Sequence, residues 1–525
     1  MKNQKNVAMM LSLLLCAVVM NSQVVVLSEC VGTFETEVPS DIQPTSDGGF
    51  IIVGMCQPID GIVSPTSHGG LDYYVAKLNS SGGMDWQHNY GGTHDEVARG
   101  IAELPTGEFV IIGESYSNDG DVQEHNGSTL FSDIWCIRIS PTGDLLWSKS
   151  FGTDGNDAGA DILYKNPNRL ILGGTKKVEG SGVGSIPYNT DIWIAELDLN
   201  GNVLSESYYG DDYKQELFDM IRTPDDDLFI AGTTYTAGEN EGDGSAMLTK
   251  IDGNGDEDWS ISFDSEGFNG IGKSAKICQD ADENIIMGFQ TSLLNDEVNC
   301  NPHGSFHFVS VSENGELLIQ KCFGGGGIDQ SIAACMTGDG RIWILGTTTS
   351  DDGDVSELPF EDNGGNAWLA SLDEDMNITW KTTLGGSKVD GAVDMCVQNG
   401  SIIFVLGYTN SDDGIVEGLH NEYGDYQDNW VVKVDTEQTS VVEKNDIQIG
   451  IYPNPASESI RVEVPITQEN YYFRIFDQTG SLAQEGWINT TSHEIMLDGI
   501  SSGIYQLMLS DTHGRMRGSG RLVKS

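Results

Sequence analysis

The sequence predicts an all-β protein: a seven-bladed β-propeller closed by an N-terminal strand, followed by a small C-terminal β-sandwich. The first observation is a set of glycines spaced 56 to 61 residues apart, each ending a short apolar run: Gly54, Gly113, Gly174, Gly232, Gly288, Gly346 and Gly407. The second is that each repeat has room for four short strands and shows no helical pattern. A long, regular period built from strand-like segments is typical of radial repeat architectures.

The second repeat, residues 96–152, shows how one unit is built. Residues 97–104 and 108–113 predict two strands joined by a Pro-Thr-Gly turn, and a polar loop follows. Residues 133–139 and 145–151 predict the third and fourth strands. Four antiparallel strands with tight turns describe a propeller blade, whereas a solenoid coil of this length would be unusually long.

Tryptophans recur at two places in the repeat. They fall in the third strand and in the fourth strand, and we expect them to be wedges between blades because aromatic rings supply much of a core's packing area. The third-strand set is Trp135, Trp193, Trp368 and Trp430, and the fourth-strand set is Trp86, Trp147, Trp259 and Trp380.

The last repeat lacks a fourth strand after residues 430–434. The N-terminal segment 24–32 offers one, and its Leu27 aligns with Trp147 of the second repeat. Closing the ring with strands from both chain ends would remove exposed sheet edges. The sequence therefore predicts seven blades within residues 23–437.

Composition restricts the function. The formal net charge is −53, with a pI near 4.1, which argues against nucleic-acid binding because such binders need a basic surface. Lys2 and Lys5 precede an apolar run at residues 7–20, a pattern that predicts a signal peptide of residues 1–22 cleaved after Ser22. We expect no transmembrane segment in the mature chain.

The chain has nine cysteines, and removal of the signal peptide would leave eight. An even number in an exported protein allows disulfides. Cys30–Cys56 is the most plausible pair. Three others, Cys278, Cys335 and Cys396, occupy equivalent places in successive repeats and are expected to be small core residues.

The repeats resemble those of secreted bacterial propellers, which read roughly Asp-Gly-Gly, Val-Gly, Asp-x-Trp, Lys-Leu, Gly, Trp, Gly-Gly and Asp. Residues 46–49 and 71–78, Trp86 and residues 91–92 show most of this pattern. The resemblance implies the fold but no single activity. Some such proteins are described as endoglucanase-like.

After a linker at residues 438–447 the pattern changes. Residues 448–525 resemble the type A C-terminal sorting domain of type IX secretion, on motifs that occur in order: Tyr452, Pro453, Asn454, Pro455, Gly503, Tyr505 and Lys524. The resemblance implies that the secretion machinery is a partner, and that the protein passes through the periplasm to the cell surface or beyond. The alternating strands alone predict a small β-sandwich.

Long loops join the second and third strands of each repeat, so they should crowd one end of the ring, where binding usually occurs on such scaffolds. Three of these loops open with a shared phrase, at residues 117–122, 350–355 and 411–416. Its oxygen-rich side chains suit either Ca²⁺ or turns in which Asp and Asn bond their own backbone.

Side-chain oxygens also recur at the start of the first strands: Glu37, Glu96, Asp157, Gln215, Asn269, Asp329 and Asp390. Four residues further on, predicted for the same strand face, come Asp41, Asp161, Asp219 and Asp394. First strands line a propeller's channel, so two acidic rings are expected. They would bond neighbouring backbone N–H groups or hold a cation. Ca²⁺ is the one candidate cofactor, with Glu37, Glu96, Asp157, Asp329 and Asp390 as candidate ligands.

No catalytic residue and no cofactor-binding motif can be named from the sequence. The nine histidines lack metal-protease spacing, and His307 takes the place of a third-strand tryptophan, so packing is expected there. The leading hypothesis is an exported, non-catalytic propeller that binds a protein or glycan partner through its long-loop face. A secreted glycan-active hydrolase is the alternative.

Overall fold

The computed structural model divides into two compact units, Val24–Thr436 and a second unit that contains Glu437–Ser525. In the first unit it describes residues 24–32, 37–57, 68–178, 190–210, 214–235, 244–263, 276–291, 305–355, 365–416, 419 and 427–436. In the second it describes residues 450–452, 456, 459–463, 471–476, 482–488, 492–497, 500–510 and 516–524. The predicted signal peptide and linker lie outside these ranges, as do Asn269 and most of the long loops.

The described part of the first unit forms seven four-stranded antiparallel sheets, called blades one to seven in chain order. Blade one contains β2 (Glu37–Pro44), β3 (Phe50–Cys56), β4 (Asp72–Leu78) and β5 (Met84–Tyr90). Blade two contains β6 (Glu96–Glu103), β7 (Phe109–Ser115), β8 (Asp133–Ile139) and β9 (Leu145–Phe151). Blade three contains β10 (Ala158–Lys165), β11 (Arg169–Lys177), β12 (Thr190–Asp198) and β13 (Val203–Tyr209). Blade four contains β14 (Gln215–Arg222), β15 (Leu228–Tyr235), β16 (Gly244–Ile251) and β17 (Glu257–Phe263). Blade five contains β18 (Ile277–Gln279), β19 (Ile285–Thr291), β20 (Ser305–Val311) and β21 (Leu317–Phe323). Blade six contains β22 (Asp329–Met336), β23 (Ile342–Thr348), β24 (Asn366–Leu372) and β25 (Ile378–Leu384), with a 3-10 turn at Gly353–Val355. Blade seven contains β26 (Asp390–Gln398), β27 (Ile402–Thr409), β28 (Asp428–Asp435) and β1 (Val24–Val31).

This arrangement of repeated four-stranded sheets confirms the predicted all-β propeller class. The hairpins between first and second strands are tight: the Thr45 N–H donates to the Gly49 carbonyl, and Gly48 has a φ of 88° that favours glycine. The connections between second and third strands are longer in every blade, as predicted.

The N-terminal strand β1 pairs antiparallel with β28, with Cys30 opposite Trp430. Leu27 also takes the place of a fourth-strand tryptophan. A Cβ atom on Gly82 would lie 2.4 Å from Leu27, just as Gly201 lies against Trp147 and Gly315 against Trp259. The first and last parts of the unit therefore share one sheet.

The cores lie between neighbouring blades. The four predicted third-strand tryptophans are at most 1% exposed, which confirms their assignment to the core. The fourth-strand tryptophans are partly buried, and three donate their indole N–H to a turn of the following blade. Trp86 bonds Pro141 O, Trp147 bonds Leu199 O and Trp259 bonds Glu313 O, each at 3.0 Å.

The predicted Cys30–Cys56 disulfide is wrong, because both cysteines are buried free thiols. Cys30 packs in the core that contains Leu345 and Trp430, whereas Cys56 packs with Val31 in the core on the other face of blade seven. Their side chains thus belong to different interblade cores. Cys322 is disulfide-bonded, and its partner lies outside the described residues.

The second unit has two sheets. One contains β29 (Gly450–Tyr452), β30 (Ser459–Glu463) and β33 (Ser492–Met496), and the other β32 (Leu482–Ile488), β31 (Tyr471–Phe476), β34 (Gly503–Ser510) and β35 (Met516–Lys524), in these orders. Ile460, Ile475, Leu507 and Leu522 are fully buried in a shared core. Among the described residues of the whole chain, no helix has the length and apolarity needed to cross a membrane.

Candidate functional site

The first strands of the blades share one irregularity. A β-bulge interrupts the pairing of six of them, for example between Pro39 and Asp41 and between Ala392 and Asp394. The residue directly after the bulge occupies an equivalent position in each blade, which we call the ring position. It is held, from blade one to blade seven, by Asp41, Gly100, Asp161, Asp219, Lys276, Ala333 and Asp394.

Each aspartate at the ring position binds the first strand of the next blade. Asp41 accepts a hydrogen bond from Ile101 N at 3.0 Å, and Asp394 accepts one from Ile42 N at 3.1 Å. Asp161 and Asp219 do the same towards the first strands of blades four and five. At four blade junctions a buried carboxyl group therefore accepts a hydrogen bond from a backbone N–H of the next blade.

Lys276 provides the one positive charge at the ring position. Its Nζ lies 3.2 Å from Asp41 Oδ1, 3.6 Å from Asp394 Oδ2 and 3.8 Å from Asp219 Oδ1. The lysine side chain is 23% exposed, while those of Asp41 and Asp394 are 0% and 2% exposed. One ammonium group thus serves carboxyl groups from three blades.

The ring carboxyls differ in protonation. Burial acts to raise the pKa of Asp41, but the charge of Lys276 and several hydrogen bonds outweigh it and hold the pKa below its usual value. Burial raises the pKa of Asp161 to about 6 and that of Asp219 to about 8, and it raises the pKa of Asp394 as well. Desolvation and crowding of like charges therefore leave part of the ring uncharged at neutral pH.

A cavity of about 480 Å³ runs along the axis beside this ring. Residues from all seven first strands line it, and they include the last residues of β2 and β6, so the cavity lies in the half of the channel nearer the short turns. The ring groups Asp161, Asp219, Lys276 and Asp394 contribute to its polar lining, together with Gln43 and Glu103.

The other predicted acids, at the start of the first strands, bind the connections that enter each blade. Glu96 accepts hydrogen bonds from Gly92 N at 2.7 Å and from Ser115 Oγ at 2.8 Å. Asp329 and Asp390 take matching partners, glycine N–H groups and the hydroxyls of a Thr and a Ser at the end of the second strand. These contacts tie each acid to the connection that enters its blade and to the second strand of the same blade.

The remaining members of this set that the structure describes are equally buried. Asp157 accepts hydrogen bonds from Thr153 N and from Lys177 N, Gln215 donates to Thr234 Oγ1, and Glu37 is 0% exposed. Each lies before the bulge, whereas the ring position lies after it. Because the bulge adds a residue, the simple alternation that placed both sets on one strand face is interrupted between them.

At the junction of blades one and two, two carboxyl groups converge on a glycine. A Cβ atom on Gly91 would lie 2.2 Å from Asp72 Oδ1 and 2.5 Å from Glu96 Oε2, so only glycine fits there. Burial, together with the nearby charge of Asp72, raises the pKa of Glu96 to about 7 despite its hydrogen bonds. Burial also raises the pKa of Asp72.

The shared loop phrase has the same hydrogen bonds in three blades. In blade two, Ser117 Oγ accepts from His94 N and Asp119 Oδ1 from Thr93 N, both at 2.8 Å. The equivalent Ser and Asp side chains of blades six and seven bond the same part of their own connections. Backbone N–H groups thus occupy the oxygens that Ca²⁺ would need, which supports turn formation. Among the described residues, no group of three His, Cys, Asp or Glu side chains is arranged to hold a metal ion.

His307 behaves as expected for a packing residue. It is 4% exposed, its ring lies 4.4 Å from that of Phe289, and burial lowers its pKa to about 4. Lys276 was missed by sequence reasoning. Aligning Lys276-Ile277-Cys278 with Asp394-Met395-Cys396 would have placed a basic residue among the ring aspartates.

Comparisons with known proteins add evidence for the C-terminal unit. Residues 450–519 match the family model described as a secretion system C-terminal sorting domain. The second unit is a type IX secretion sorting domain. The protein is therefore exported by this system and is either secreted or attached to the outer cell surface. Of its predicted signal residues, Pro453, Asn454 and Pro455 lie outside the described part, while Tyr505 is buried and donates its hydroxyl to Ser501 O at 2.9 Å.

Solved structures give only distant similarities. A protein of unknown function from Dyadobacter fermentans has 10% sequence identity and a TM-score of 0.39, covering 79% of this chain and 99% of that chain. One from Bacteroides caccae has 11% identity and a TM-score of 0.34, covering 59% and 88%. PorZ, a surface component of the type IX secretion system of Porphyromonas gingivalis, has 11% identity and a TM-score of 0.20, covering 94% and 99%. Scores this low carry no argument about the present chain. A comparison with curated proteins found no match.

Proposed function

We propose that this type IX cargo is a non-catalytic binding protein, whose propeller holds a protein or glycan partner at its long-loop end. In this organisation the signal peptide is residues 1–22, the propeller 23–437, the linker 438–447 and the sorting domain 448–525. Export delivers the propeller to a place where surface proteins and polysaccharides are the available partners.

The observation that carries the proposal is a set of exposed apolar side chains at that end. Leu130, in the long loop of blade two, is 81% exposed. Ile328 and Val389, on the connections entering blades six and seven, are 51% and 40% exposed. Their carbonyls accept hydrogen bonds from Thr349 N and Asn410 N, which begin the neighbouring long loops.

Exposed apolar groups on a hydrogen-bonded loop frame are typical of interaction sites. The frame is rigid because the loop side chains bond the blade connections, so partner binding would not have to order the loop bases. The described acids at the ring position and at the strand starts, in contrast, are buried. A hydrolase would need an accessible pair of carboxyl groups.

The test compares two triple variants of the mature protein. One replaces Leu130, Ile328 and Val389 with serine. The matched control replaces three apolar residues of similar exposure on outer strands, Leu146, Leu204 and Leu318, each 48% exposed. Binding to intact cells and to a polysaccharide panel is measured for both, together with product release.

We expect the loop variant to lose binding by at least about tenfold, since each buried anchor contributes on the order of 1 kcal/mol or more. The control should bind as the parent does. Equal binding by both variants would contradict the loop-face proposal. Polysaccharide turnover that is abolished when one loop carboxylate is neutralised would favour the hydrolase instead.

A further inference from the structure

The two ends of the propeller differ in how their acidic side chains are compensated. At the short-turn end, cations at the penultimate place of the third strands bind the acids of the turns. Lys77 lies 2.8 Å from Asp47, and Lys250 lies 2.9 Å from Asp227. Arg138 takes the matching place in blade two and bonds the turn acid of its own blade. The two lysine side chains are only 5% and 8% exposed, so their charge is held at the turns.

The long loops have no cation of this kind. Each segment between a second and a third strand contains at least one Asp or Glu, and none contains a lysine or an arginine. These segments are residues 57–71, 116–132, 178–189, 236–243, 292–304, 349–365 and 410–427. Lys177, Lys214 and Lys388 lie at the same end on other segments, and each stands beside a carboxylate. The long loops therefore carry acid without base.

Two of these loops place an exposed carboxylate near an exposed apolar side chain. In blade six, Asp352 Oδ1 accepts a hydrogen bond from Gly326 N, two residues before Ile328. In blade seven, Asp413 Oδ1 accepts one from the equivalent backbone N–H, two residues before Val389. Both aspartates are exposed, and Ile328 and Val389 are 51% and 40% exposed. The same pair of an acid and an apolar residue thus recurs in neighbouring blades.

Close packing fixes both carboxylates in place. A Cβ atom on Gly325 would lie 2.4 Å from Asp352 Oδ1, and one on Gly386 would lie 2.5 Å from Asp413 Oδ1. Glycine at these two places lets each loop approach the entering connection closely enough to form its hydrogen bond. Because the carboxylates are held before a partner arrives, binding them requires little further ordering of the loops.

A lysine or arginine side chain matches such a pair. Its aliphatic stem can cover Ile328 or Val389 while its charged head meets the nearby carboxylate. An anionic polysaccharide would be repelled by the same carboxylates. A single exposed ion pair is weak, but the field of the surrounding acids speeds the approach of a cationic partner.

We propose that the long-loop end binds a basic protein, whose lysine and arginine side chains dock on the Ile328–Asp352 and Val389–Asp413 pairs. This inference rests on the proposed function, because it names the chemistry of the partner for that same face. It narrows the choice between a protein and a glycan to polypeptides that present several basic side chains.

The experiment uses the mature full-length protein and hexalysine as the probe, with calorimetric titration as the measurement. Hexaglutamate tests the sign of the charge. The glucosamine hexamer, at about pH 6, tests cationic groups that lack an aliphatic stem. We expect saturable binding of hexalysine that weakens as the ionic strength rises. Hexaglutamate should not bind, and the glucosamine hexamer should bind at least about fivefold more weakly than hexalysine, since it offers no stem to cover the apolar residues.

Two double variants locate the site. Asp352→Asn with Asp413→Asn removes both charges but keeps an oxygen for each backbone N–H, and it should weaken hexalysine binding at least about fivefold. The matched control is Asp119→Asn with Asp154→Asn, which removes the same charge at the same end. The connections beside these two acids carry a polar residue where the proposed pairs have an apolar one, so the control should bind nearly as the parent does. Near-ultraviolet circular dichroism checks that each variant is folded.

Binding to intact cells separates this inference from the proposed function. If Asp352→Asn with Asp413→Asn leaves cell binding unchanged while the variant of Leu130, Ile328 and Val389 loses it, the face is an interaction site without a basic partner, and this inference fails alone. If both variants bind cells as the parent does, the proposed function fails as well. No saturable binding of hexalysine, or an equal loss in the control variant, would also overturn the inference.

Discussion

Replacing Lys276 with methionine should destabilise the propeller in a pH-dependent way. The substitution keeps most of the side-chain volume but leaves Asp41, which is 0% exposed, without the ammonium group 3.2 Å away. Removing one partner of a buried ion pair costs about 3–5 kcal/mol. Because the lysine side chain is 23% exposed, we expect the lower end of that range, about 3 kcal/mol, at pH 8.

The sign of the pH dependence follows from Asp41. Burial alone would raise its pKa, and the charge of Lys276 lowers it below the value of a free aspartate. A carboxyl group with a lowered pKa stabilises the folded state above its unfolded pKa, and this contribution is lost as the pH falls through the folded pKa. In the variant, Asp41 would instead take up a proton as the pH falls. The difference in unfolding free energy between the parent and the variant should therefore become smaller as the pH falls from 8 to 5.

Urea unfolding followed by tryptophan fluorescence is a suitable assay, because nine of the ten tryptophans lie within residues 24–436. Adding Asp41→Asn to Lys276→Met should recover at least half of the lost unfolding free energy. The second substitution removes the unpaired carboxylate charge and leaves an oxygen that accepts from Ile101 N. Lys388→Met, at an exposed pair with Asp412, is the control and should change stability by less than about 0.5 kcal/mol. A loss of unfolding free energy in Lys276→Met below about 1 kcal/mol at pH 8 would refute the reasoning, and so would an equal loss at pH 5 and pH 8.

Four further predictions concern Glu96, the acids at the strand starts, the N-terminal strand and the C-terminal unit. Burial raises the pKa of Glu96 to about 7, so its contribution to the stability of the folded state is greatest in acid and is lost as the pH rises through 7. Glu96→Gln should therefore flatten the change in unfolding temperature between pH 5 and pH 8, and an unchanged slope would contradict this. If the acids at the strand starts hold Ca²⁺, millimolar Ca²⁺ should raise the unfolding temperature beyond the effect of matched ionic strength, and Asp157→Asn with Asp390→Asn should blunt the gain; no difference would leave them as hydrogen-bond acceptors. Deleting Val24–Val31 should expose the edge of β28 and lower the unfolding temperature, while unchanged stability would argue against a closing role. Truncation at Glu443 should leave a folded propeller in the periplasm, and normal surface delivery of that form in cell fractionation would disprove the need for the tail.

Much of the fold could be predicted from the sequence because its signals are local. Gly48 and the equivalent turn glycines adopt positive φ, which few other residues tolerate, so turns recur visibly along the chain. The closing strand was predictable because Leu27 aligns with a tryptophan that packs on the next turn. The Cys30–Cys56 prediction failed because pairing depends on which interblade core each side chain faces.

The candidate site was less predictable, and the reason is the bulge. Counting four residues from Glu37 to Asp41 assumes unbroken alternation, but an extra residue lies between Pro39 and Asp41. The repeated acids are therefore recognisable in the sequence. Which of them bind the entering connection and which lie at the ring position is not. Lys276 could not be recognised from the repeated acids because it is a basic residue at a position where four other blades have aspartate.

The residues at the ring position that are not aspartate reduce charge repulsion in the buried layer. Seven aspartates at the ring position would hold like charges together in a buried layer, and most would have to be protonated. Gly100, Lys276 and Ala333 break the layer, and the lysine compensates the carboxyls of Asp41, Asp219 and Asp394. As a result the cavity has carboxyls from blades two, three, four and seven, one ammonium from blade five, and thiols from blades five to seven. The wall of the cavity therefore differs from blade to blade even though the scaffold itself is repetitive.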